Sequence, residues 1–221
     1  MSASSTTVCD PSCQTQATAT VTAGGLITVL CNVTLAACFA MFGVAHWNSF
    51  VRFGRPSVLL QMVKELLDAL FFLIRRDARK ASRSPYEWLI AFGGTFWPLW
   101  FRPVNAEHDA WAGQVIQFGG ALLTIAAILS LNRSFGIVPA NRGVRTGGLY
   151  RVVRHPLYMS YTMVHLGYVM NHPSASNLCV FGATTLFAVL RIYREERFLL
   201  EDESYREYAR RTRWRLAPFV F

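Results

Sequence analysis

The sequence predicts an all-α integral-membrane protein with about six transmembrane helices and a C-terminal amphipathic helix on the cytoplasmic side. Three observations carry this reading. Only 16% of the 221 residues are charged against 52% hydrophobic, whereas an ordinary soluble domain is about 25% charged. The apolar residues are gathered into blocks of membrane-spanning length. The formal net charge is +9, with 20 of the 22 bases Arg, and those bases fall between the blocks as in loops that obey the positive-inside bias. The composition excludes a disordered chain and a disulfide-stapled secreted module. It also assigns the basic excess to topology instead of to nucleic acid.

Residues 1–22 are rich in Ser, Thr, Ala and Gln and read as a disordered tail, with no basic segment of the kind that opens a cleavable leader. Residues 23–131 read as a four-helix transmembrane region. Its spans are 26–47, 57–74, 86–101 and 111–131, each able to cross at about 1.5 Å per residue if suitably tilted. The first ends at Trp47, and the third carries Trp88, Trp97 and Trp100 near its ends, as aromatic belts do. The second contains Lys64, Glu65 and Asp68. Charges inside a span face the bundle interior, and the i,i+4 spacing of Lys64 and Asp68 allows them to pair. The fourth span has no charge and contains Gly113, Gly119 and Gly120, as helix-packing segments do.

Hydrophobicity stops over 132–155, which holds Arg133, Gly136, Pro139, Arg142, Gly143 and Arg145 and then Gly148, Tyr150, Arg151, Arg154 and His155. Pro156 suits the first turn of a fifth span, 156–170. A short turn leads to a sixth, 178–193, and the two are expected to form a tight antiparallel hairpin. Residues 194–214 alternate acids and bases around Phe198, Leu199, Tyr205 and Tyr208, as an amphipathic helix on the membrane surface or under the bundle would. With the N-terminus in the cytoplasm, 18 Lys and Arg fall inside and 3 outside, Lys64 remaining in a span. Both termini are therefore expected to be cytoplasmic, and a bacterial inner membrane is the expected location.

Cys31, Cys38 and Cys179 lie in apolar blocks, where a thiol behaves as a small hydrophobe. Cys9 and Cys13 have no second Cys or His pair at ligand spacing, so no metal is expected. His46 and His165 read as packing or interfacial residues, and His108 and His172 fall in outer loops. Phe118, Met159 and Met163 read as helix packing or as the wall of a lipophilic tunnel.

The predicted hairpin brings the run Gly148–His155 next to Arg191, Glu195 and Glu196. Arg154 offers a bidentate guanidinium fork for a carboxylate, and Glu195 or Glu196 can accept from an ammonium or from hydroxyls. The helix start after His155 adds free N–H groups. An interhelical salt bridge between Arg154 and Glu196 accounts equally for these residue types. Gly148-Leu149-Tyr150-Arg151-x-x-Arg154-His155-Pro156-Leu157-Tyr158 is followed after an interval by Glu195-Glu196 and Tyr205-x-x-Tyr208. Together these resemble the isoprenylcysteine carboxyl methyltransferase and phospholipid methyltransferase group of integral-membrane enzymes. Asn132-Arg133-Ser134-Phe135 and Arg213-Trp214-Arg215-Leu216-x-Pro218 look like that group too, so the resemblance covers about 132–221.

The resemblance implies S-adenosylmethionine-dependent methyl transfer to a lipophilic or amphiphilic acceptor, through a carboxylate oxygen, an amine nitrogen or a thiol sulfur. Carried over, the cofactor-binding set is Gly148, Tyr150, Arg154, His155, Pro156, Tyr158, Arg191, Glu195 and Glu196, with Arg154, His155 and Glu196 at the chemistry. Ser160 stands where the group often has Gly. Glu65, Asp68 and Met159 are candidates for the acceptor's side of the site, and membrane lipids are the expected partners. The alternatives are a membrane transporter, suggested by the charges of the second span, and a non-catalytic membrane scaffold that keeps the pocket residues as ion pairs.

Overall fold

The computed structural model describes residues 11–74, 80–81, 84–104, 109–131, 140–141, 144 and 146–218. Among the described residues there are seven α-helices: α1 Pro11–Phe53, α2 Pro56–Ile74, α3 Pro85–Phe96, α4 Trp111–Leu131, α5 Pro156–Asn171, α6 Ala175–Leu199 and α7 Glu203–Arg211. Two 3-10 turns, Trp97–Trp100 and Gly148–Arg151, follow α3 and precede α5. Arg133, Gly136, Pro139, Arg142, Gly143 and Arg145 lie outside the described residues.

Local chemistry sets the helix ends. Gly54 adopts φ +63°, and its N–H bonds Phe50 O at 2.7 Å, closing α1 where a side chain would be strained. Pro56, Pro85 and Pro156 open α2, α3 and α5, where the missing N–H has no intrahelical acceptor to lose. Ser174 and Asp202 cap α6 and α7 by accepting from Asn177 N and Ser204 N.

Three departures from the sequence reading matter. The helix α1 begins at Pro11, inside the stretch expected to be a tail, because Ala17, Ala19 and Ala23 extend a helix that the apolar block has already nucleated. Among the described residues three helical segments are long and apolar enough to cross a membrane, Gly25–Phe53, Trp111–Ser130 and Ala175–Leu199, not six. The helix α3 is 12 residues and α5 is 16, and α2 carries three charges. The single helix expected over 194–214 is divided, since α6 runs on to Leu199 and α7 follows.

The expected tight α5–α6 hairpin is replaced by close packing of α5 on α4. A Cβ on Gly120 would lie 2.7 Å from Val164 N, and one on Gly167 would lie 2.6 Å from both Gln117 N and Gly113 O. Small residues on both helices therefore let the two backbones touch. Phe101 makes tilted ring contacts with His165 (5.1 Å between centroids) and Tyr168 (5.3 Å) and packs on Val180, lying between α5 and α6. The helix α6 leans instead on α3, with Phe187 against Gly93 and Arg191 against Gly94. Gly120→Val is expected to lower stability by about 1–3 kcal/mol through forced separation of α4 and α5, read as a fall in Tm of the detergent-purified protein.

Phe39, stacked on Phe72 at 5.4 Å, anchors α1 to α2 together with Ala36, Ala69, Ala91 and Leu99. Two-residue strands β1 Lys80–Ala81 and β2 Ala140–Asn141 pair antiparallel, Lys80 opposite Asn141. That pairing ties the α2–α3 connection to the α4–α5 connection.

A carboxylate-centred candidate site at the start of α5

Gly148 adopts φ +58°, and a Cβ there would run into Ser130 Oγ, so only glycine lets the chain turn against the end of α4. The 3-10 turn that follows buries Tyr150, whose carbonyl accepts from Tyr208 Oη at 2.7 Å. Tyr150, Tyr205 and Tyr208 form one cluster that docks α7 beneath the loop, while Arg206, Glu207, Arg210 and Arg211 stay exposed. Burial holds all three phenols neutral; Tyr208 is pushed up to about 12 by desolvation, partly offset by the Arg154 cation.

Arg154 and His155 are held from the opposite side by the chain end. Arg154 N donates to Trp214 O at 2.9 Å and His155 N to Arg215 O at 2.8 Å. Two consecutive backbone bonds thus fix this pair before Pro156 starts α5. Glu196, only 3% exposed, receives them: its Oε1 lies 3.1 Å from His155 Nε2 and 3.2 Å from Arg154 Nη1, and its Oε2 accepts from Arg215 Nε at 2.7 Å. A carboxylate with cations or N–H donors on both oxygens is an ionised, rigid hub. Since a carboxylate accepts, the Nε2–H of His155 is the donor, which fixes its tautomer or leaves it charged.

Glu195 points differently. It is half-buried and accepts from Tyr158 Oη at 2.9 Å, while the Arg191 guanidinium lies 5.3 Å from the centre of the Tyr158 ring. Adjacent helical residues diverge by about 100°, and here the divergence separates a structural carboxylate, Glu196, from a more accessible one, Glu195. Arg154 Nε and Tyr205 Oη are buried without hydrogen-bond partners among the described residues. The structure therefore brings together Gly148, Tyr150, Arg154, His155, Pro156, Tyr158, Arg191, Glu195 and Glu196. It adds Arg215, which the sequence placed only in a closing motif; its charge complement to Glu196 became visible once α6 was known to run past residue 193.

The α2 charges form a second group. Lys64 Nζ lies 3.1 Å from Asp68 Oδ2 and 3.5 Å from Glu65 Oε1, Gln61 Nε2 donates to Glu65 Oε1 at 2.8 Å, and Tyr161 Oη donates to Asp68 Oδ1 at 2.5 Å. Lys64, Glu65 and Asp68 are at most 5% exposed. Gln61 Oε1, Glu65 Oε2 and His165 Nε2 remain buried without partners among the described residues. Tyr161 sits one turn along α5 from Tyr158, about 4.5 Å of rise, which links this group to the first. Met159 is half-buried on α5 beside Tyr158. Met163 packs against Gly119 and Gly120 of α4.

A third polar centre, at the far end of α5, was not legible in the sequence. Arg55, 5% exposed, donates from Nε to Asp109 Oδ1 at 2.7 Å, from Nη1 to Val104 O at 2.7 Å and from Nη2 to Asn171 O at 2.5 Å. Ser57 donates from Oγ to Asp109 Oδ1 at 2.8 Å and from N to Oδ2 at 2.9 Å. Val104 N donates to His172 Nδ1 at 3.2 Å, so the His172 proton is on Nε2, which donates to Ser57 Oγ at 3.0 Å. A serine nucleophile needs a basic nitrogen facing it; here a donor faces it, so the arrangement is a clamp joining three interhelical connections.

Burial opposes the charge on Asp109, but the hydrogen bonds from Ser57 and the Arg55 guanidinium outweigh it and hold the carboxyl below its usual range. Burial, and then the nearby Arg55 cation, push His172 down to about 4. A base depressed in the fold stabilises it above its unfolded pKa, near 6.5. Below that pH the unfolded chain takes up a proton that the fold refuses. Stability is therefore expected to fall between about pH 6.5 and 4 by up to about 3 kcal/mol, with Asp109 adding a further loss as pH drops through its own lowered pKa. A Tm series from pH 7.5 to 4.5 checks this, and His172→Gln is expected to flatten the upper part of the slope.

Residues 110–207 match the family model for phospholipid methyltransferases. The match takes in α4, the 3-10 turn, α5, α6 and the first half of α7, and so the carboxylate-centred site from Gly148 to Tyr205, while Tyr208, Trp214 and Arg215 lie beyond it. No curated protein matches the chain.

Proposed function

We propose, for a chain similar over 110–207 to the phospholipid/isoprenylcysteine methyltransferase-like membrane family, that the carboxylate-centred site binds S-adenosylmethionine. In this reading it transfers the methyl group to a lipid-like acceptor at the cytoplasmic membrane face. The carrying observation is the pair of buried, unpartnered donors, Arg154 Nε and Tyr205 Oη, beside the accessible Glu195. Orphaned buried donors call for an anionic partner, and a zwitterionic amino-acid end group supplies one, with Glu195 opposite for its ammonium or for ribose hydroxyls.

When bound, the cofactor supplies a methyl group on a sulfonium; this chain supplies orientation and a dry surface. Arg154 holds a carboxylate, with its own direction fixed by Glu196 through Nη1. His155 is held by Glu196 and the Arg215 carbonyl, so it positions the start of α5 more than it moves protons. Tyr158 and Arg191 cover the face that leads up α5. The tyrosines under α7 close the water side. Fixing the reacting groups in line in a water-poor pocket accounts for several kcal/mol of barrier lowering in general terms. The remaining helices α2, α3 and α5 complete the bundle in the bilayer, and the basic connections keep the site cytoplasmic.

The group at Gln61, Lys64, Glu65 and Asp68 supports a nitrogen acceptor in particular. It combines one cation with two carboxyl groups, and two of its unpartnered atoms, Gln61 Oε1 and Glu65 Oε2 of the ionised carboxylate, accept. An amine head group offers N–H donors to both, and a carboxylate head offers none. Labelled methyl transfer into defined lipids in proteoliposomes tests this. Amine-bearing lipids are expected to take label, and Glu65→Gln to raise KM for the amine at least tenfold with cofactor affinity unchanged. Label confined to carboxylate or thiol acceptors would overturn the nitrogen assignment, and an absence of label in any acceptor would overturn the enzyme.

A further inference from the structure

A cavity of about 430 Å³ lies between the C-terminal half of α1 and the segment that follows α3. Phe42, Leu99 and Phe101 give it apolar walls, while His46, Ser49 and Arg102 supply its polar groups. It stands apart from the carboxylate-centred site. Arg102 N donates to Asn177 Oδ1 at 3.1 Å and Asn177 Nδ2 donates to Arg102 O at 2.9 Å. Its rim is thereby fixed to the α5–α6 turn, a whole α5 length, about 24 Å, from His155.

The polar groups are not explained by packing. His46 is 6% exposed, and its Nδ1 faces Phe42 O at 3.0 Å. A carbonyl only accepts, so Nδ1 carries the proton and the neutral ring presents Nε2 as an acceptor. Ser49 Oγ is buried with no partner among the described residues. His46 and Ser49, at i and i+3, share one face of α1. An unpartnered hydroxyl such as that of Ser49 in an apolar wall costs free energy unless something fills it. Arg102 is exposed, and among the described residues no acidic side chain lines the cavity. The end of a span, with Trp97 and Trp100 stacked at 6.4 Å beside it, is head-group level.

We infer that this cavity is a lipid site, separate from methyl transfer, that takes an anionic phospholipid whose head group carries a free hydroxyl. The phosphate pairs with Arg102, the hydroxyl donates to His46 Nε2 beside Ser49 Oγ, and the first carbons of an acyl chain lie on Phe42, Leu99 and Phe101. Charge selects the phosphate. The His46 acceptor beside Ser49 Oγ selects the hydroxyl.

Native mass spectrometry of the delipidated full chain, titrated with phosphatidylglycerol, phosphatidylcholine or inorganic phosphate, tests the assignment. One phosphatidylglycerol is expected to be retained per chain, at least tenfold more tightly than phosphatidylcholine. Arg102→Gln and His46→Leu are each expected to weaken it about tenfold. Arg102 holds the fold through its backbone, so its side-chain change leaves the protein folded, and unchanged S-adenosylmethionine binding in that variant verifies this independently of the lipid result. Equal retention of both lipids would show bulk lipid only, competition by phosphate alone would show an unspecific anion site, and undiminished retention by Arg102→Gln would remove the phosphate contact; each overturns the inference.

Discussion

Glu196→Ala is expected to abolish S-adenosylmethionine binding and to release the chain end from the site. The carboxylate is 3% exposed and joins Arg154, His155 and Arg215. Truncating it leaves Arg154 nearly buried without its anion, a loss of about 3–5 kcal/mol for a broken buried pair. The loss is local. From outside α6, Arg154 and His155 are held by the carbonyls of Arg213, Trp214 and Arg215, so the C-terminal segment is the part that detaches. The α1–α2 core around Phe39 and Phe72 does not touch it. Calorimetric titration should show no heat of binding, and limited proteolysis should cut after residue 199. Glu196→Gln keeps the shape and one acceptor, so an intermediate affinity is expected; wild-type affinity in both variants would mean that Glu196 is not the hub.

The second large effect is expected at the opposite end of α5. Asp109→Ala removes the anion from Arg55 and the acceptor from both Ser57 N and Oγ. Arg55 keeps the carbonyls of Val104 and Asn171, but a 5% exposed guanidinium without a counter-charge costs about 3–5 kcal/mol. The fall in Tm should be the largest of any single substitution outside the helix interfaces. Cofactor affinity at a temperature where the variant is folded should change less than threefold, since the clamp is an α5 length away. Asp109→Asn should recover part of the Tm by keeping hydrogen bonds without charge. A cofactor affinity that falls in step with Tm at all temperatures would show that the two ends are coupled.

What could be read from the sequence follows from periodicity and local pairing. The start of α5 is marked in the sequence by Pro156, and the Lys64–Asp68 pair by its i,i+4 spacing. The run from Gly148 to Tyr158 and the adjacent glutamates marked the site, because their chemistry is concentrated in short segments. Helix partners were less legible. Gly113, Gly120 and Gly167 signal close packing, but nothing in their spacing says that α4 will be the partner of α5, and the place of Phe101 between α5 and α6 comes from a connection with no periodicity. The clamp joins Ser57 at the start of α2 to Arg55, Asp109 and His172 from three connections; those three read as loop residues until the helices set them side by side. Which glutamate faces inward was a 100° question that only the packing of α6 on α3 decides.

The most direct measurement is calorimetric titration of S-adenosylmethionine, and of its demethylated product, into the full chain in lipid nanodiscs, with Arg154→Ala alongside. Saturable micromolar binding by the wild type, lost in Arg154→Ala while α-helical content is unchanged, is the expected result. Absence of binding by a folded wild type in nanodiscs and in detergent alike would contradict the enzyme, and would leave the Arg154, His155, Arg215 and Glu196 assembly as the ion-paired joint of a membrane scaffold.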